Sequence, residues 1–157
     1  WCGKHVVVDK KTSRDLGWQI RRERLPLDHH VKQVKVYAAI LALRNRKPVD
    51  AGAVFYIDLS DVRNLPVYVF PLERRELEQV LAWALERKRQ LEDCLSSGML
   101  PPREVGWGCF YCPWAGECYR LEVVDDFRQL SRAGVPKPQS VAGVKNVKQL
   151  LLEGGER

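Results

Sequence analysis

Apolar and polar positions along the chain fall into short blocks that can be assigned one by one. Lys4-His5-Val6-Val7-Val8-Asp9 is β-branched and predicts a strand, with Cys2-Gly3 as the exit of a turn before it. The stretch from Thr12 to Arg24 is polar and basic, and Pro26 then breaks the chain. Asp28 predicts an N-cap for a helix from about His29 to Arg44, because Val31, Val34, Ala38 and Leu41 recur at helical spacing. A Lys47-Pro48-Val49-Asp50-Ala51-Gly52 turn leads to a second strand, Ala53 to Leu59. Val67-Tyr68-Val69-Phe70, held between Pro66 and Pro71, predicts a third strand at a sheet edge. The longest helix is expected from about Glu73 to Leu95, with Leu77, Val80, Leu81, Ala84, Leu85, Leu91 and Leu95 on one face and Gly98 as its stop. Pro101-Pro102 opens a cysteine-rich loop at 109–118, and a last helix, Val144 to Leu152, follows the breaker Gly134-Val135-Pro136-Lys137-Pro138. Strand, helix, strands, helix is an α/β pattern.

Composition narrows the classes. A chain of 157 residues with 45% hydrophobic positions can build a domain core, which excludes a disordered protein, and five cysteines are too few for a disulfide-stapled miniprotein. No apolar run approaches the roughly 20 residues of a membrane-spanning helix, so the expectation is a soluble protein with no membrane partner. Lys and Arg outnumber Asp and Glu by 26 to 20, a formal charge of +6 that favours a polyanionic partner. The chain opens at Trp1, its one methionine is Met99, and no charged-then-apolar leader is visible, so it reads as a fragment with residues upstream. Thiols without a disulfide pattern fit a reducing cytoplasm.

Two constellations carry chemistry. Asp9 and Lys11 point to one face of the first strand while Lys10 points away. An acid beside a lysine suits metal-assisted phosphodiester hydrolysis: the carboxylate holds a hard divalent ion and the lysine balances charge on the phosphate. Gln33 and Tyr37, four apart, project from one face of the next helix. The plainer alternatives are a solvated strand end and a half-buried helix with a satisfied glutamine. His29 and His30 read as helix-start surface residues. The second constellation is Cys109-x-x-Cys112 followed by Cys118, three thiols within ten positions among Gly, Pro and aromatics. That spacing lets a loop wrap a metal; the thioredoxin-like setting of a redox-active pair is absent, and iron–sulfur and zinc both remain open. Cys2 and Cys94 are candidates for a fourth ligand, and a thiol upstream of Trp1 is another.

Taken in order, Val6-Val7-Val8-Asp9-Lys10-Lys11-Thr12, Gln33-Val34-Lys35-Val36-Tyr37-Ala38, and Gly98-Met99-Leu100-Pro101-Pro102 leading to the cysteines resemble the RecB-like branch of the PD-(D/E)xK nucleases. Within that branch the chain is most similar to the CRISPR-associated iron–sulfur exonucleases, the Cas-four family, over about residues 4–120. The resemblance implies a restriction-endonuclease-like α/β core, a mixed sheet flanked by helices, with a C-terminal cysteine-rich metal-cluster region. It divides the chain into a nuclease core at 1–97, an iron–sulfur loop at 98–120 and a helical extension at 121–157. It makes Asp9 an acidic ligand and the Lys10 backbone carbonyl a second ligand of Mg²⁺ or Mn²⁺, Lys11 the catalytic lysine, and Gln33 and Tyr37 the helix motif beside DNA. It makes Cys109, Cys112 and Cys118 ligands of a 4Fe–4S cluster. The family's first catalytic aspartate, its upstream histidine and its first cluster cysteine have no counterpart here and are expected before Trp1.

The leading expectation is therefore a metal-dependent exonuclease on single-stranded or frayed DNA ends. Arg14, Arg21, Arg22 and Arg24 would contact phosphates, and Trp18 would offer a stacking platform. By resemblance its partners are the spacer-integration proteins. The rival readings are a non-catalytic DNA-binding or scaffold module with a zinc or iron–sulfur staple, and a repair nuclease of the same superfamily. The tail after Cys118 reads as a packed extension or an adaptor for a partner, with Lys137, Lys145 and Lys148 on a solvated face in preference to a DNA contact.

Overall fold

A computed structural model of the chain describes residues 3–99, 108–109, 112–115, 141 and 144–147. The chain divides into two units, Trp1–Lys88 with Gln139–Arg157, and Arg89–Pro138.

The first unit is built on a mixed sheet. Strand β1 (Val6–Ser13) pairs in parallel with β2 (Ala51–Asp58), which pairs antiparallel with β3 (Val67–Pro71), which in turn pairs with the two residues of β4 (Lys145–Asn146). Between β1 and β2 lie a short helix α1 (Leu16–Arg21) and the crossover helix α2 (Asp28–Ala39), which widens into a π-helical turn at Ile40–Arg44. Helix α3 (Arg74–Ser97) follows β3. A parallel β1–β2 pair requires such a crossover, and α2 supplies it by packing on the face formed by Val7, Val54, Tyr68 and Phe70.

The core follows from the apolar runs. Val31 and Val34 of α2 meet Val54 and Tyr56 of β2, Tyr68 and Phe70 of β3, and Leu16 and Leu25 from the α1 region. Ala38 and Ala39 continue α2 against Leu77 of α3, with Leu81 packed alongside. The Lys35–Glu76 ion pair and Lys32, whose ammonium lies 3.4 Å from the centroid of Trp83, tie the two helices further. The closest approach falls at Gly52, where an added Cβ would stand 2.6 Å from Phe70 Cε2 and 2.8 Å from Val34 Cγ1.

Several expectations need correction. Asp9 does not end the first strand: in-register pairing runs on to Ser13 opposite Asp58, and a six-residue helix occupies part of the basic stretch after it. The Val67 strand is not an edge, because β4 pairs on its other side. The N-cap of α2 is Leu27 rather than Asp28, whose carboxylate accepts the neighbouring His29 N–H at 2.7 Å and so does not cap the helix. In α3 only Leu77 is buried; Leu85, Leu91 and Leu95 are exposed, so the apolar stripe is not a core seam beyond Leu81. Gly98 ends α3 at φ +69, as expected of a residue without Cβ. Of the last predicted helix, Lys145–Asn146 is strand; residues 148–152 lie outside those described.

Gly52→Ala is expected to lower stability by about 1–3 kcal/mol through overpacking between Val34 and Phe70. The readout is the urea midpoint at unchanged m-value. An unchanged midpoint would mean that the Phe70 ring gives way freely.

Candidate active site

Alternation along β1 turns Val7, Asp9, Lys11 and Ser13 toward α2 and leaves Val8, Lys10 and Thr12 exposed on the other face. Lys11 is the hub. Its Nζ lies 2.9 Å from Asp9 Oδ2 and donates to Gln33 Oε1 at 2.5 Å. Gln33 in turn donates through Nε2 to Tyr37 Oη at 2.6 Å. The ammonium thereby fixes which way the Gln33 amide faces, because only the carbonyl end can accept from it. Tyr37 Oη accepts from the amide, which leaves its O–H to donate elsewhere, and its side chain is exposed at 42%. Asp9, Lys11, Gln33 and Tyr37 thus form one polar chain from sheet to surface, joining the strand pair and the helix pair that the sequence predicts separately.

Asp9 Oδ2 is buried, and the Lys11 ammonium beside it is not in hydrogen-bonding geometry. An ionised oxygen in that condition suits a hard divalent cation, which has the charge and the oxygen preference to complete it. Lys10 turns its side chain away and can join the cluster through its backbone alone. Among the described residues no group of three or more His, Cys, Asp or Glu gathers for a metal.

The histidines are not surface residues at a helix start. His30 Nδ1 lies 2.8 Å from Tyr56 Oη, and Tyr56 is 1% exposed. Tyr56 stands opposite Lys11 in the β1–β2 register. His29 stacks edge-on against His30 with centroids 4.1 Å apart and keeps Nδ1 3.3 Å from Asp28. Burial pushes the His30 pKa down to about 4, with His29 and Lys11 acting in the same direction and Asp9 and Asp28 against it. Burial also lowers the His29 pKa and raises that of the Tyr56 phenol. The signal for His30 was in the sequence: it precedes Gln33 by three positions, one turn along the helix face that carries Gln33 and Tyr37.

The basic cluster is partly assembled. Trp18 on α1 is exposed, with the guanidinium of Arg24 4.7 Å and that of Arg22 6.0 Å from its ring centroid. Arg14 and Arg21 are exposed near the two ends of α1. Ser13, the last residue of β1, accepts from Gln19 Nε2 at 3.1 Å and from the Asp15 N–H at 3.2 Å, which ties α1 to the strand carrying Asp9 and Lys11.

The cysteine loop belongs to the second unit. Cys109 is half-buried and Cys112 exposed; the Cys112 N–H donates to the Cys109 carbonyl at 3.3 Å, and the Ala115 N–H to that of Cys112 at 3.1 Å. Cys94 is half-buried on α3, while Cys118 and Cys2 lie outside the described residues.

Asp9 and Lys11 on one strand face, with Lys11 held by a residue of the overlying helix, place a carboxylate and a fixed positive charge side by side. The chain belongs to the PD-(D/E)XK nuclease superfamily, which it matches over residues 2–119. Members of that superfamily are typically metal-dependent nucleases and generally use Mg²⁺ or Mn²⁺. No curated protein and no solved structure matches the chain. No helix among the described residues is long and apolar enough to cross a membrane.

The histidine environment has a pH signature. An unfolded chain takes up a proton at His30 near pH 6.5, whereas the folded imidazole stays neutral down to about 4. The folded state is therefore most favoured above pH 6.5 and loses ground as pH falls from there toward 4. Urea midpoints across this range should decline for the native chain and decline less steeply for His30→Gln.

Proposed function

We propose that the protein is a metal-dependent deoxyribonuclease of the RecB-like type, an exonuclease on single-stranded or frayed DNA ends, of the Cas-four kind that serves CRISPR spacer acquisition. The observation that carries the nuclease reading is the continuous chain from Asp9 through Lys11 and Gln33 to Tyr37. Asp9 and the Lys10 carbonyl would hold Mg²⁺ or Mn²⁺, which when bound would supply polarisation of the scissile phosphate and of the attacking water. Lys11 places a fixed positive charge where the phosphorane gains negative charge, and Gln33 keeps its ammonium from swinging away. Tyr37 donates its O–H to a phosphate oxygen. Arg14, Arg21, Arg22 and Arg24 track the backbone and Trp18 stacks a base, a combination that favours single strands.

Cys109, Cys112 and Cys118 serve as ligands of a 4Fe–4S cluster in this reading, with zinc as the alternative. The spacing of the three thiols supports a metal, and the family resemblance supports iron–sulfur. Anaerobically purified protein is expected to contain iron and acid-labile sulfide, both lost in Cys112→Ala; zinc in their place would assign the loop to the alternative.

A second reading is a non-catalytic DNA-binding module. The observation that favours it is that no group of three or more His, Cys, Asp or Glu gathers for a metal among the described residues.

The deciding experiment is cleavage of end-labelled single-stranded DNA with Mn²⁺, beside Lys11→Ala. Cleavage should stop with EDTA and fall at least about a hundredfold in the variant, while DNA binding survives. Equal cleavage by both proteins would sink the assignment of Lys11. DNA binding without cleavage by the native chain would select the second reading.

A further inference from the structure

His30 has no task in the chemistry above, yet its position is fixed more firmly than that of Tyr37. Tyr56 is buried, and its Oη accepts the Leu27 N–H at 3.2 Å. Among the described residues, its hydroxyl proton has one acceptor in reach, His30 Nδ1 at 2.8 Å. With Nδ1 accepting, the imidazole proton resides on Nε2. Among the described residues Nε2 has no hydrogen-bond partner, and it is not one of the buried unsatisfied atoms. It is a solvent-accessible N–H whose tautomer is set from below.

The helix places that donor in line with the others. His30, Gln33 and Tyr37 occupy positions i, i+3 and i+7 of α2, one stripe facing the Asp9–Lys11 strand. Tyr56, which holds the imidazole, is the in-register neighbour of Lys11. Two of the groups in this line, Lys11 and Tyr37, present a hydrogen-bond donor. His30 and Tyr37 stand two turns apart on that stripe, about 10 Å by helical rise, a separation that an extended polyanion can span.

We propose that His30 is a further substrate-binding residue of this site, whose Nε2–H donates to a phosphate oxygen of the DNA strand on the side of Lys11 away from Tyr37. The proposal rests on the nuclease reading above. A neutral imidazole is well suited to that place. It can donate to a phosphate without adding a second full positive charge beside Lys11, and the Tyr56 hydrogen bond removes the tautomer that would turn a lone pair toward the anion.

The test uses the full chain with His30→Ala, His30→Gln, Tyr56→Phe and Lys11→Ala. Affinity for a short single-stranded oligonucleotide is measured in Ca²⁺, and cleavage in Mn²⁺. His30→Ala is expected to weaken binding and raise KM about tenfold to a hundredfold at nearly unchanged kcat, the signature of a lost hydrogen bond to a charged group. His30→Gln, whose amide nitrogen reaches as far as Nε2, should recover most of the loss. Tyr56→Phe should release the tautomer, seen as mixed Nδ1–H and Nε2–H signals in imidazole nitrogen spectra. In the native protein the Nε2–H form alone is expected, and its resonance should move when the oligonucleotide is added. If Lys11→Ala abolishes cleavage but His30→Ala binds and cleaves like the native chain, the nuclease stands and the role of His30 falls. An unmoved Nε2 resonance at saturating oligonucleotide overturns it equally, whether or not the alanine variant folds. A native chain that neither binds nor cleaves DNA removes the nuclease reading and this proposal with it.

Discussion

Helix α2 lies so close to the sheet at residue 52 that the chain leaves no room there for a side chain. A Cβ would stand within 3 Å of both the Phe70 ring and Val34, so one of these neighbours would have to shift. Everything polar in the site depends on that distance. Gln33 extends from α2 to the Lys11 ammonium, and an amide hydrogen bond to an ammonium weakens steeply once the donor–acceptor gap exceeds normal length. The same seating brings His30 onto Tyr56 and Ala38 and Ala39 onto Leu77. A backbone requirement on the central strand thus sets the reach of side chains on a different element.

The polarity of the site then follows from a single charge. The Lys11 ammonium demands an acceptor from Gln33, which turns the amide so that its nitrogen faces Tyr37, which leaves the phenol proton to be donated elsewhere. A parallel sequence runs from the Leu27 amide through Tyr56 to His30. Both lines end in a hydrogen-bond donor, and Asp9 Oδ2, a buried oxygen with no hydrogen-bond partner among the described residues, lies on the strand beside Lys11. The arrangement separates a cation-seeking atom from anion-seeking ones across the width of a side chain. A phosphate bridged to a divalent ion presents the same separation of charge.

Much of this was legible in the sequence, and what was not has physical reasons. Strand alternation placed Asp9 and Lys11 together, and helical spacing placed Gln33 with Tyr37, because both rules depend only on local geometry. The partner of Lys11 was not readable, since it is set by how α2 docks. For His29 and His30 the sequence predicts solvent, because polarity near a helix start usually means that; Tyr56, 26 positions away from His30, instead supplies a buried partner. Val67–Phe70 looked like an edge from its flanking prolines, but Pro66 and Pro71 sit at the strand ends and leave its middle free to pair with residues far along the chain. The α3 stripe predicted burial that only its first turns receive, for periodicity states which face is apolar and not whether anything covers it. Cys118 and most of the tail fall outside the described residues.

The parallel pairing of β1 with β2 has a consequence for how the site comes into being. Asp9 and Lys11 share a strand and can be neighbours in almost any extended chain, but parallel strands cannot pair until the segment between them has crossed over. That segment is α2 and its approach, so closing the crossover, pairing the strands and clamping Lys11 are one folding event rather than three. A nascent or partly unfolded chain carries the acid and the lysine, yet has nothing to orient the ammonium and no row of donors for a strand to meet. Competence is then tied to a long loop closure, the kind of step that is slow to form and is lost cooperatively.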